Sequence, residues 1–179
     1  MAQPTLPRYS YEEYLERLEA SEIRLEFVDG LVYAMAGGSP EHNRVVMRLT
    51  LQVGNQLKSP CEAYGPDQKI RARGAGYYPD LSVVCGRPQL APDDPLAFTN
   101  PALVFEVLPA ATAATDRTTK AERYKLLTSL QAYVIVSQPE QRLEVHRRTA
   151  DGWSIETHLA GARVALPCGV NLVVSELYP

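Results

Sequence analysis

The sequence predicts an α+β fold built on a mixed sheet, and three observations carry that reading. Apolar residues at helical spacing recur over 10–20 and about 40–58, among short strand-like runs. Asp29-Gly30 sits between two alternating segments and reads as a tight hairpin turn. Two consecutive apolar runs, Pro79-Asp80-Leu-Ser-Val-Val and Ala102-Leu-Val-Phe-Glu-Val-Leu108, each carry one acid where a buried strand is expected. The resulting order is helix, hairpin, helix, three strands, helix and several strands. With 179 residues and 45% apolar content, the chain has the size of one domain with its own core, expected over 1–179.

In chain order, Ser10 is a plausible N-cap, and Tyr11, Tyr14, Leu15 and Leu18 give a short helix over 10–20. Strands over 23–28 and 31–36 flank the Asp29-Gly30 turn. Gly37-Gly38 breaks the chain. Ser39 then caps, Pro40 occupies the first helical position, and Val45, Val46, Leu49, Val53 and Leu57 mark a helix over about 40–58. Residues 61–73 read as a single strand bent at Gly65-Pro66, followed by the strands that carry Asp80 and Glu106. The proline-rich stretch 86–101 between them reads as a surface loop. A helix over about 116–128 precedes strands at 132–138, 143–148 and 153–159, and the tail adds a short strand or turn.

Composition narrows the function classes. There are 18 basic and 21 acidic residues, a net charge of −3, so a nucleic-acid site would have to be local rather than a basic coat. Cys61, Cys85 and Cys168 are odd in number and lack CxxC spacing; neither a zinc site nor a disulfide is expected, and a reducing cytoplasm fits best. The first twenty residues carry Glu and Pro where a signal peptide needs an unbroken apolar run, and no window is long enough to span a membrane. A cytoplasmic protein is expected.

The two acids carry the chemistry. Side chains alternate along a strand, so Glu106 shares a face with Val104 and Leu108 while Phe105 and Val107 face the other way. Apolar residues on both faces imply a central strand, where a carboxylate loses hydration unless it is paired or holds a metal. Asp80 stands at the start of the neighbouring run and can project into a cleft at the strand end. An isolated strand Glu is usually salt-bridged or solvated, and an Asp after Pro is usually a turn residue. Two on successive strands point to a shared site. Converging carboxylates suit a hard divalent cation, Mg²⁺ or Mn²⁺, which can lower the pKa of a bound water and stabilise charge on a phosphoryl oxygen.

Pro79-Asp80 with Glu106-Val107-Leu108 resembles the PD-(D/E)xK nuclease superfamily. The chain from about 9 to 150 is similar to the Uma-two family of restriction-endonuclease-like proteins. The segments that carry the likeness are Glu26-Phe-Val-Asp29-Gly30, Ser39-Pro-Glu41-His42-Asn43, Tyr78-Pro-Asp80, Glu106-Val-Leu108 and Asp116-x3-Lys120-x3-Tyr124. The resemblance implies a restriction-endonuclease-like αβββαβ core over about 40–137, with an N-terminal helix-hairpin and C-terminal strands added. It also implies a Mg²⁺-dependent phosphodiesterase site ligated by Asp80 and Glu106, DNA as partner, and a possible homodimer.

Two departures stand out. The superfamily lysine belongs at position 108, which is Leu108; relatives usually lack it there too, so a migrated lysine is expected. Asp116, Lys120 and Tyr124 lie at i, i+4 and i+8 on one helix face, making Lys120 the candidate and Lys69 the competitor. Pro109-Ala-Ala-Thr112 replaces a segment that tends to be Ser-Pro-Ser-Thr. These departures and the acidic net charge support an alternative, a catalytically idle binding or dimerisation module on the same fold.

Glu41 and Glu26 are accessory acid candidates, and His42 an alternative donor beside Glu41. His146 and His158 read as surface residues. Arg71, Arg73, Arg142, Arg147 and Arg148 could line a backbone-binding groove or simply charge an edge hairpin.

Overall fold

A computed structural model describes residues 6–35, 37–109 and 113–179, with the side chains of 113–117 left undescribed. Helix α1 (Tyr11–Glu19) opens on a capping box. The Ser10 hydroxyl accepts the Glu13 N–H at 3.1 Å, and the Glu13 carboxylate accepts the Ser10 N–H at 2.6 Å. Strands β1 (Leu25–Val28) and β2 (Leu31–Ala34) form the expected hairpin. Asp29 at φ 47° and Gly30 at φ 88° supply the left-handed conformation that the turn requires. Helix α2 (Pro40–Gly54) starts under the Ser39 cap and buries Val45, Val46, Leu49 and Val53.

Strands β3 (Cys61–Tyr64), β4 (Lys69–Ala72), β5 (Ala75–Tyr77) and β6 (Leu81–Cys85) follow, then a small hairpin of β7 (Leu90–Ala91) and β8 (Asp94–Phe98). Strand β9 (Leu103–Leu108) leads into helix α3 (Ala113–Lys125) and the parallel strand β10 (Ala132–Ser137). The chain finishes with β11 (Arg142–Thr149), β12 (Gly152–Leu159), β13 (Arg163–Ala165) and β14 (Asn171–Val173).

Two mixed six-stranded sheets result, ordered β2-β1-β5-β4-β8-β7 and β12-β11-β10-β9-β6-β3. The second sheet holds the α2-β3-β6-β9-α3-β10 series, an αβββαβ core in which β3, β6 and β9 run antiparallel and β9-α3-β10 closes as a parallel crossover. Strands β9 and β10 are buried along their whole length. Leu103, Phe105 and Val107 pack with α2 and the C-terminal segment. On the other face, Val104 and Leu108 pack with Ile70 and Tyr77 of the first sheet and Tyr124 of α3. Alternation therefore delivers Glu106 to the side where the first sheet and α3 meet.

Four expectations need correction. Residues 61–73 are not one bent strand: Gly65 accepts the Gln68 N–H in a turn, and β3 and β4 join different sheets. The stretch 86–101 is not only loop, because β8 pairs in parallel with β4 and buries Asp94. Cys61 and Cys85 are joined by a disulfide, since antiparallel pairing of β3 with β6 sets them directly opposite each other. His146 is buried rather than on the surface, with Nε2 2.7 Å from Glu144 Oε1, while His158 is half-exposed. Among the described residues no helix is long and apolar enough to cross a membrane.

Candidate active site

Pro79 offers no N–H, and regular pairing of β6 with β9 begins only at Leu81. Beyond that last rung Asp80 takes over: its Oδ2 accepts the Val107 N–H at 2.7 Å. The carboxylate is thereby fixed beside the strand that carries Glu106. On its other side, His42 Nε2 lies 3.3 Å from Asp80 Oδ1. The Asp80 hydrogen bond raises the His42 pKa above its ordinary value against the opposing effect of burial. Gly38 makes room for this ring, because a Cβ there would stand 2.7 Å from His42 Nδ1.

Glu106 is 4% exposed. Burial pushes its carboxyl up to about 8; the Lys120 ammonium opposes that rise, and the charges of Asp80 and Glu26 add to it. Lys120 Nζ reaches back from α3 to lie 3.3 Å from Glu106 Oε1 and 3.1 Å from Glu26 Oε1. Burial works against the ammonium, but the two carboxylates outweigh it and hold its pKa above the ordinary lysine range. Its Nζ stands over the Tyr77 ring, 5.2 Å from the centroid. The Tyr124 hydroxyl, one helical turn on, donates to Glu106 Oε1 at 3.3 Å. Glu26 is buried and also accepts the Tyr78 N–H at 3.1 Å, which ties the first hairpin to the segment before Asp80.

Asp80, Glu106, Lys120 and His42 line one cleft of about 800 Å³, walled also by Gly38, Tyr78 and Val107. Lys120 joins Glu106 to Glu26, and His42 pairs with Asp80 across the same cleft; the three carboxylates do not converge within 4.8 Å of one another. The oxygen donors of the two cleft acids, Asp80 and Glu106, are of the type a hard divalent cation takes.

Two candidates lie elsewhere. Glu41 is exposed at the start of α2 and pairs with Arg44 at 3.1 Å. Lys69 is buried and turned to Asp94, with Nζ 2.5 Å from Oδ2, while the Tyr11 hydroxyl donates to the same carboxylate oxygen at 2.8 Å. Asp116 has its side chain outside the described ones, and residues 110–112 are outside the described residues.

Several of the arginines have partners within the chain. Arg71 pairs with Asp93, Arg147 with Glu156, and Arg148 caps carbonyls at the end of α3. His42 and Tyr124 are the residues to which sequence reasoning gave no firm role. The Lys120-x3-Tyr124 spacing was the available signal for the second.

An αβββαβ core with an acid at the end of one antiparallel strand, an acid inside the next and a lysine from the following helix defines a chain of the restriction-endonuclease-like class. The family profile of Uma2, described as "Putative restriction endonuclease", matches residues 11–174, and the chain belongs to that family. It is 34% identical over 180 residues to the uncharacterized protein slr1290 of Synechocystis, spanning 96% of this chain and 92% of that protein. A second Synechocystis protein, the uncharacterized sll1609, is 30% identical over 155 residues, with 83% and 86% covered. The fold matches the crystal structure of "a putative nuclease belonging to DUF820 from Anabaena variabilis" with a TM-score of 0.73 at 16% identity, covering 93% of this chain and 96% of that one.

Proposed function

We propose that the protein is a metal-dependent endonuclease that hydrolyses phosphodiester bonds in DNA. The observation that supports this reading is the convergence on one cleft of Asp80, anchored by the Val107 amide, and Glu106, paired with Lys120. Asp80 and Glu106 would hold the cation, with Glu26 as an accessory acid in place of the exposed Glu41. Mg²⁺ or Mn²⁺ bound there supplies charge neutralisation at the phosphoryl oxygen and acidifies water. Lys120, whose Nζ lies 3.3 Å from Glu106 Oε1, would present its ammonium to the attacking water or the phosphate. His42, held at Asp80, is placed to take or return a proton at the cleft wall.

The test is conversion of supercoiled plasmid to nicked or linear form in Mg²⁺ or Mn²⁺. Loss of conversion in Asp80→Asn, with the fold intact, supports the reading. Equal conversion by the variant, or none by the wild type with either ion, removes it.

A second reading, an idle binding module of the same fold, is favoured by one observation. His42 and Lys120 already give Asp80 and Glu106 side-chain partners within the protein. In that case neither ion binds at Asp80 and Glu106.

A further inference from the structure

A second cluster of metal-type ligands stands apart from the cleft. Cys61 begins β3, Cys85 ends β6, and Cys168 sits in the short 3-10 turn Pro167–Gly169 between β13 and β14. Cys85 Sγ and Cys168 Sγ are 3.5 Å apart, and all three sulfurs fall within 4.8 Å of one another. The residues are half-buried and pack against the α2 side of the core. Cys168 is held in place by a tight turn in which it takes φ 63°, and Leu166 N–H closes that turn on Val170 O at 2.7 Å. Three strand-and-turn positions far apart in sequence thus present sulfur to one point.

We propose that the reduced chain binds a soft, thiophilic d10 cation, with Zn²⁺ as the representative, on Cys61, Cys85 and Cys168. Thiolate is the ligand such ions select. Three sulfurs around a tetrahedral zinc with bonds of about 2.3 Å lie about 3.8 Å apart; Cys85 and Cys168, 3.5 Å apart, already stand near that separation, and reduction of the Cys61–Cys85 bond frees Cys61 to move out to it. Three protein ligands leave a fourth position for water. The two oxidation states of the cluster exclude each other. A dithiol reductant passes two electrons and two protons to the Cys61–Cys85 bond and leaves as its own disulfide. The ion then displaces the three thiol protons to solvent. Bound there, it would clasp the C-terminal hairpin to the β3-β6 edge, about 16 Å along β6 from Asp80. The site is independent of the nuclease reading and chemically opposite to it, sulfur for a soft ion against oxygen for a hard one.

The experiment uses the full chain, reduced with a phosphine under argon, desalted and titrated with Cd²⁺ while thiolate-to-metal charge-transfer absorbance is followed. Native mass spectrometry with Zn²⁺ gives the stoichiometry. One more ion is expected per reduced chain than per oxidised chain. Excess Mg²⁺ should not compete. Cys168→Ser should weaken binding by more than about 100-fold, the upper range for losing a mere supporting partner, whereas Asp80→Asn should bind as the wild type does. A reduced wild type that holds no ion, or a Cys168→Ser chain that holds it as tightly, overturns the proposal. So does loss of the ion in Asp80→Asn. Should Cys168→Ser fail to fold by circular dichroism, Cys61→Ser and the comparison of oxidised with reduced wild type decide the question.

Discussion

Replacing Glu106 with glutamine keeps the length and shape of the side chain and deletes its titration. In the folded chain the carboxyl is 4% exposed, and burial lifts its pKa to about 8 from 4.5. The native state therefore holds this proton more tightly than the unfolded chain does. The stability it contributes is fully present below the unfolded pKa and drains away as pH rises through the folded one. Within that window each pH unit costs about 1.4 kcal/mol, so going from pH 5 to 7 costs the wild type about 3 kcal/mol from this group. For a chain of this size that corresponds to about 6–12 °C in Tm. Glu106→Gln removes the slope, and Lys120 keeps Glu26 as its partner. The assay is a set of thermal or urea melts in EDTA at pH 5, 6, 7 and 8 for both proteins, read as the difference between them. The variant should gain on the wild type steadily with pH. A difference that stays flat, or that shrinks with pH, refutes the assignment of Glu106 as a carboxyl held proton-rich by burial.

Three further outcomes are expected. Mn²⁺ should raise the melting temperature of the wild type through ligation and fail to do so in Asp80→Asn; an equal rise in both places the ion elsewhere. Lys120→Met should abolish plasmid cleavage while leaving Mn²⁺ binding measurable by calorimetry, because the ammonium acts on water and phosphate; full cleavage would strike Lys120 from the mechanism. Lys69→Met strands Asp94 in the core and should cost about 3–5 kcal/mol in urea melts with cleavage per folded molecule retained, and a loss below about 1 kcal/mol would mean that the pair is hydrated.

The site was legible where local geometry decides it. Strand alternation put Glu106 on the face of Val104 and Leu108, and helical spacing put Lys120 and Tyr124 over it. The hairpin was readable because Asp29-Gly30 tolerates positive φ. What escaped depends on pairing between distant segments. Nothing near Lys69 announces Asp94, which sits among prolines and is buried only because β8 docks beside β4. Cys61 and Cys85 look unrelated until β3 lies against β6, and Cys168 joins them from the far end of the chain. His42 was ambiguous since a helix N-terminus explains a polar residue equally well. Only the approach of Asp80 distinguishes the two uses.

Asp80 has a further consequence through its bond to the Val107 amide. In a β-ladder that amide would be claimed by a backbone carbonyl; here a side chain imitates the missing strand. Asp80 is therefore two residues in one, a partner of His42 on Oδ1 and a piece of scaffold on Oδ2. Substitution scans at this position will mix the two roles unless they separate charge from shape. Asparagine can still offer a carbonyl oxygen to Val107, but alanine leaves that amide open and lets the mouth of the sheet rearrange. A dead Asp80→Ala protein would thus say little about metal, whereas a dead and fully folded Asp80→Asn protein would say a great deal. Asparagine is the substitution that preserves the doorway while removing the charge.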